Sequence, residues 1–336
     1  MAFVNNCEGL IRKSNKDMIN FKYDKGLVAD YITEDGNIAN SKRLAHGDIS
    51  FIDTCFDIDN NDNVYGVVNN KEGHLLYIYP KDTSFDTSTI LNYDHNKFNI
   101  SYPYIKNINK DQHLIYYLSN KAGNSVSALF HHYNRDGEWF ENKIDFINHI
   151  VLNNFVVTWN GDTPTLFYFN SINGAEEIFA CRFNNATKVW SNPIQITNSQ
   201  SPKIYLSIIK DSMNFYHITY SENVNLGYAV KYVNGYLKEN SFETTRSNFV
   251  TGASTCSFPS LTQVNSDLYL SWIQYNKLCT SISNDLGNTW SDRNIDEHSI
   301  EEEFIRFSFR SNCINDKDYN TDSVFGTKEP FGILGF

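Results

Sequence analysis

The sequence predicts an all-β fold: a β-propeller of six four-stranded antiparallel blades, one domain, closed by a C-terminal strand. Three observations carry this reading. A polar turn followed by an aromatic-rich strand occurs six times, in SNKDMINFKY, DNNDNVYGVV, INKDQHLIYYL, NGDTPTLFYF, IKDSMNFYHITY and VNSDLYLSWIQY. Trp139, Trp190 and Trp290 stand 51 and 100 positions apart, a period of about 50 residues, and such a period marks a repeat architecture. The 336 residues include 24 Phe and 21 Tyr but only 7 Pro, and Phe and Tyr suit pleated, half-buried surfaces.

The period divides the chain into blades at roughly 1–50, 51–99, 100–150, 151–200, 201–250 and 251–300. Tyr-Pro103, Ser-Pro202 and Phe-Pro259 read as strand starts, where a proline need not donate to the ladder. In the last blade, strands are expected near 258–264, 267–274, 277–283 and 289–291. In FIRFSFR (304–310), Phe304, Arg306, Ser308 and Arg310 share one face. That alternation reads as a closing strand within 301–312 that completes the first blade. Residues 313–336 mix turn and apolar residues and read as a tail that wraps the surface or is partly disordered.

Residues 283–290 read Ser-Asn-Asp-Leu-Gly-Asn-Thr-Trp. Asp285 is placed to accept from backbone N–H groups in an Asx-type turn. Gly287 permits positive φ at the tip, Thr289 starts the returning strand, and Trp290 plugs between sheets. Together with Ser283 these residues resemble the Asp-box, S/T-x-D-x-G-x-T-W, of the sialidase-like propellers (BNR repeats). HHYNRDGEW and CRFNNATKVWS are similar to decayed boxes with Asn134 and Asn185 in the Asp position. The resemblance implies a structural staple away from the active face. It also implies three carboxylate-gripping arginines, a Tyr–Glu pair and an acid/base Asp. Only eight arginines are present and no Arg-Ile-Pro opens the chain. A triad of Arg12, Arg246 and Arg306 has no local motif to select it, so the reading leans away from sialidase activity.

Composition excludes some classes. The net charge is −11, which counts against a nucleic-acid or anionic-membrane surface. No apolar run approaches a membrane span or a signal peptide. The six widely spaced cysteines read as buried free thiols in a reducing compartment such as the cytoplasm. No cofactor or metal is expected. DIDNNDN (57–63) lacks the pattern of a calcium loop and reads as a hairpin turn containing Asp57. His131 and His132 point to opposite strand faces, one expected in the core and one exposed.

Candidate ligand-binding residues are those at inner-strand starts: Arg12, Asp53, Tyr102, Tyr104, Trp159 and Arg306, with Tyr205 nearby in KIYLS. Aromatic faces stack on sugars, and arginine pairs with carboxylates. Catalytic residues are not identified. The expected function is a non-catalytic or catalytically divergent propeller that binds a glycan or a protein at its central face. A glycoside hydrolase or lyase with other residues is the alternative, and a surface-assembly scaffold the second.

Overall fold

The computed structural model describes residues 3–81, 84–123, 125–328 and 331–335. The described strands form six sheets. The second to sixth follow the chain: strands from Thr54–Ile58 to Ser84–Asn92, Phe98–Ile108 to Glu138–Asn148, Val156–Asn160 to Ile194–Gln195, Lys203–Lys210 to Phe242–Phe249, and Ser257–Val264 to Asn294–Ile295. The first joins four N-terminal strands to three from the C-terminal region, with Phe304–Ser311 lying parallel to Phe3–Arg12.

Each sheet packs on its successor. Phe21 stacks on Phe56, ring centroids 3.5 Å apart, between the first and second sheets. Val67 and Leu75 meet Ile105 and Leu114. Ile115 and Leu129 meet Leu166 and Cys181. Phe167 and Ile178 meet Ile208 and Ile218, and Val230 meets Leu261 and Leu270. The sixth sheet returns to the first through Ile273 and Leu278 against Phe304 and Phe325. This cyclic order is a propeller-type arrangement.

A sheet sandwiched between two neighbours has no wet face, so its middle strands lose period-two polarity. His131 and His132 illustrate this. They occupy opposite faces yet both are buried, which corrects the expectation that one is exposed. Trp190 Nε1 donates to His131 Nδ1 at 3.0 Å, so neutral His131 carries its proton on Nε2. That nitrogen lies 3.0 Å from His113 Nδ1 and donates to it. His113 then carries its proton on Nε2, which is buried without a partner among the described residues. The six cysteines are unpaired, and only Cys55 is more than slightly exposed.

The 283–290 turn is closed by side chains. Asp285 accepts from the Thr289 N–H at 2.8 Å and the Thr289 hydroxyl at 2.6 Å. Ser283 Oγ accepts from the Gly287 N–H at 2.8 Å. Gly287 has φ +85° and lies against Tyr232, whose ring is 5.0 Å from that of Trp290. Residues 289–291 are not a strand, contrary to expectation, because these capping bonds carry the chain back as a loop. The outer strand is Asn294–Ile295, paired to Cys279 and Thr280.

The two weaker echoes differ from it. Asn134 sits beside a two-residue hairpin, Asp136-Gly137, both at positive φ, and Trp139 is exposed. In the other, Asn184 rather than Asn185 accepts from the turn, from Ala186 N at 2.9 Å and Thr187 N at 3.1 Å. The 313–336 segment is not a loose tail. Tyr319–Thr321 joins the sixth sheet, and Ser323–Lys328 and Phe331–Leu334 extend the first. Residues 329, 330 and 336 of that segment lie outside the described residues. No helix is long and apolar enough to cross a membrane among the described residues.

Candidate functional site

The inner strands surround a cavity of about 470 Å³, walled by residues from all six sheets. Three walls share one backbone device. In the third, fifth and sixth sheets the inner strand bulges, so that two residues oppose one on the neighbouring strand. Tyr102-Pro103 lies opposite Tyr116, Tyr205-Leu206 opposite Tyr220, and Phe258-Pro259 opposite Trp272. The first residue of each bulge is left-handed, with φ +52°, +61° and +50°. Glycine is the usual occupant of such a position. An aromatic residue there costs about 1–3 kcal/mol, and all three line the cavity. Pro103 and Pro259 therefore mark bulges within strands rather than strand starts.

Neighbouring side chains satisfy the bulged backbone. The Tyr205 N–H donates to Asn153 Oδ1 at 3.3 Å, and Asn154 Nδ2 donates to the Leu206 carbonyl at 2.9 Å. Both asparagines lie on the segment leading into the fourth sheet, so one sheet braces the bulge of the next.

Arg306 and Arg310 reach the cavity from the closing strand. Arg310 donates to Asp322 at 3.0 Å and lies 3.8 Å from Asp57. Asp57 is buried, 2.6 Å from Lys106, and accepts from the Tyr65 hydroxyl at 3.0 Å. It is the last but one residue of Thr54–Ile58, not part of the turn, which begins beyond it. Arg306 differs. The ion pairs of the described residues do not include it. Its guanidinium lies 4.6 Å from the ring centroid of Phe258 and 5.7 Å from that of Phe51. Aromatic faces hold a guanidinium without neutralising it.

Tyr104 is half-buried in the cavity wall, and burial, reinforced by the Asp57 charge, pushes its phenol well above the ordinary value. Trp159 Nε1 donates to its oxygen at 2.8 Å, so the phenol's own hydrogen is left to donate elsewhere. Burial also raises Tyr102 and Tyr205, opposed in each by the Arg306 charge. Cys55 is pushed up to about 11 by burial. Among the lining residues Asp322 is the one carboxylate. No cluster of three metal-ligating side chains occurs among the described residues.

Of the six residues expected at the channel, the structure brings together Tyr102, Tyr104 and Arg306. Trp159 stands behind Tyr104. Arg12 falls on the opposite face of its strand from Gly9 and Ile11 and pairs with Asp316 at 3.2 Å. Asp53 is turned inward, accepting from the Ser50 N–H at 2.9 Å and pairing with Lys71 at 2.9 Å. Arg246 bonds Asn288 at 3.0 Å, outside the cavity, so no arginine triad forms. The sequence reading missed Phe51, Arg310 and Phe258. Arg310 shares the period-two face of Arg306 and was open to the same argument.

No family model matches the chain, and no curated protein matches it. Solved structures do. A polysaccharide lyase of family PL25, an ulvan lyase bound to -[GlcA(1-4)Rha3S]-, superposes with a TM-score of 0.63 at 10% identity over 97% of this chain and 94% of its own. The α-L-arabinanase of Penicillium chrysogenum complexed with arabinobiose gives 0.56 at 10% identity, covering 84% and 94%. Polysaccharide lyase Uly1 gives 0.54 at 10% identity, covering 86% and 81%. These likenesses show a propeller-type fold.

Proposed function

We propose that the chain is a carbohydrate-active propeller of one domain, its six sheets being six blades of the sialidase type. On this reading the central cavity takes an acidic saccharide. The observation that carries it is Arg306: a cation with no carboxylate partner among the described residues, held beside aromatic faces in the cavity wall. A ligand carboxylate would complete it. The glycan ligands of the superposing structures support a saccharide.

Of the two reactions those neighbours represent, elimination fits the lining better. Hydrolysis uses two carboxylates across the bond, and among the described residues the cavity presents Asp322 alone, already paired to Arg310. In elimination, Arg306 would neutralise a uronate carboxylate and acidify the adjacent C–H. A phenol beside it, Tyr102 or Tyr205, would receive that proton as phenolate. The electron pair forms the C=C bond and the glycosidic oxygen leaves, taking the proton of Tyr104. The raised phenols favour a second reading, binding without cleavage, because neutral phenols donate rather than abstract.

One experiment tests both. The protein is incubated with polygalacturonate, hyaluronan and glucuronate–rhamnose-3-sulfate chains while the ultraviolet absorbance of unsaturated uronate is followed and binding is measured by calorimetry. Absorbance growth supports the lyase, binding alone supports the second reading, and the absence of both signals rejects the acidic-saccharide cavity.

A further inference from the structure

The three left-handed aromatics are a shared backbone solution in three sheets: Tyr102 and Phe258 pack at the edge of core clusters, and all three also line the cavity. Glycine would relieve each bulge, and the opposing residues Tyr116, Tyr220 and Trp272 already fill the space between sheets. What an aromatic residue adds is a ring directed into the cavity. Tyr205 and Phe258 lie with centroids 4.1 Å apart and planes tilted by 36°, and the Arg306 guanidinium lies over Phe258, 4.6 Å from its centroid. The result is one contiguous wall of Tyr205, Phe258 and guanidinium.

We infer that these bulges are the specificity device of the cavity: Tyr102 and Tyr205 take the apolar faces of sugar rings, and Phe258 positions Arg306 for the carboxylate between them. The ligand class is a uronate-containing oligosaccharide with an axially clear sugar face beside the acid. This rests on the acidic-saccharide reading above. Phe258 is a positioning residue, acting through Arg306. An aromatic face orients the guanidinium plane but leaves its charge for the ligand, whereas a carboxylate in that place would spend it.

The test uses the three polysaccharides named above as oligosaccharides, each native and carboxyl-reduced, with binding and thermal melting read on the same samples. Tyr205→Ala and Tyr205→Gly should lose about tenfold in affinity for native and reduced ligands alike, as expected when one aromatic contact is removed. Tyr205→Gly should melt above Tyr205→Ala, because only glycine accepts the left-handed backbone freely. Tyr205→Phe should retain binding and control for folding. Phe258→Leu should lose the preference for native over reduced ligand, and Phe258→Tyr should restore it. Wild-type affinity in Tyr205→Gly, or equal melting of the Ala and Gly variants, overturns the inference. Loss of discrimination in Arg306→Ala alongside such a result leaves the acidic-saccharide reading standing. An Arg306→Ala variant with full discrimination removes that reading instead.

Discussion

The guanidinium of Arg306 lies 4.6 Å from the ring centroid of Phe258, while four positions on, Arg310 sits against Asp322 at 3.0 Å. Two arginines on one strand face thus have opposite fates: one is neutralised and the other is kept charged. Arg306→Ala should leave stability within about 1 kcal/mol. It should weaken an acidic saccharide by about tenfold to a hundredfold, the span expected for hydrogen bonds to a charged group. Arg306→Lys should recover only part of this, since an ammonium lacks the planar fork. Calorimetric titration against native and carboxyl-reduced oligosaccharide checks both statements.

Asp57 holds Lys106 at 2.6 Å and lies 3.8 Å from Arg310. Its removal leaves the half-buried Lys106 without its carboxylate and Arg310 with Asp322 alone. Asp57→Ala should cost about 1–3 kcal/mol, read as a shift of the denaturant midpoint at unchanged slope. A shift below about 1 kcal/mol would show that water enters and solvates Lys106.

The 283–290 staple is an acid-sensitive turn. The Thr289 hydroxyl and N–H, with Ser283, hold the Asp285 carboxyl down at about 2, against 3.8 for a free aspartate. Its contribution is therefore complete above 3.8 and lost as pH falls through about 2. Asp285→Asn should remove that part of the acid slope. Trp290 is half-buried against Tyr232, so Trp290→Ala should cost about 2 kcal/mol, less than a fully buried aromatic. Ligand binding by either variant, once folded, should match wild type.

Acid should act earlier through the histidine relay. Burial holds His113 at about 4 against an ordinary 6.5, and His131 is lowered further in the same direction, chiefly by burial. The unfolded chain takes up protons as pH falls through 6.5 while folded His113 does not until about 4. Stability is therefore full above 6.5 and declines on the way down, by on the order of 2–3 kcal/mol for His113 alone. Melting curves of His113→Gln across that window should be flatter than wild type, and an unchanged slope would place the acid sensitivity elsewhere.

Much of the strand order was legible because it rests on local chemistry. The polar-turn and aromatic-strand units predict strands near the hairpins found, and the alternation in 304–310 points to the strand that pairs with Phe3–Arg12. The cavity was only half legible. Alternation selects Arg306 and equally Arg310, but whether either is neutralised depends on Asp57 and Asp322 from remote segments. Arg12 fails because the cavity is lined by Cys7, Gly9, Leu10 and Ile11 of its strand, while Arg12, at the strand's end, is taken by Asp316. Asp53 reads as a channel carboxylate and is instead consumed by Ser50 and Lys71. The bulges were hidden for a deeper reason. A left-handed position is normally announced by glycine, and here Tyr102, Tyr205 and Phe258 stand in that place.

The pairing of Phe304–Ser311 with Phe3–Arg12 also sets an order of events in time. Cys7 and Arg306 are register partners about 300 residues apart in the chain, so the N-terminal strand keeps an open edge until synthesis has reached Phe304–Ser311. Contacts of such separation are slow to form and leave edges exposed to misassembly. Arg306 rides on the strand that pairs with the N-terminal strand, so a product cut short before it would lack both that pairing and the cation. An acidic saccharide seated on Arg306 would act as a clasp on the finished ring, opposing the unzipping of first strand from last in proportion to how tightly it is held.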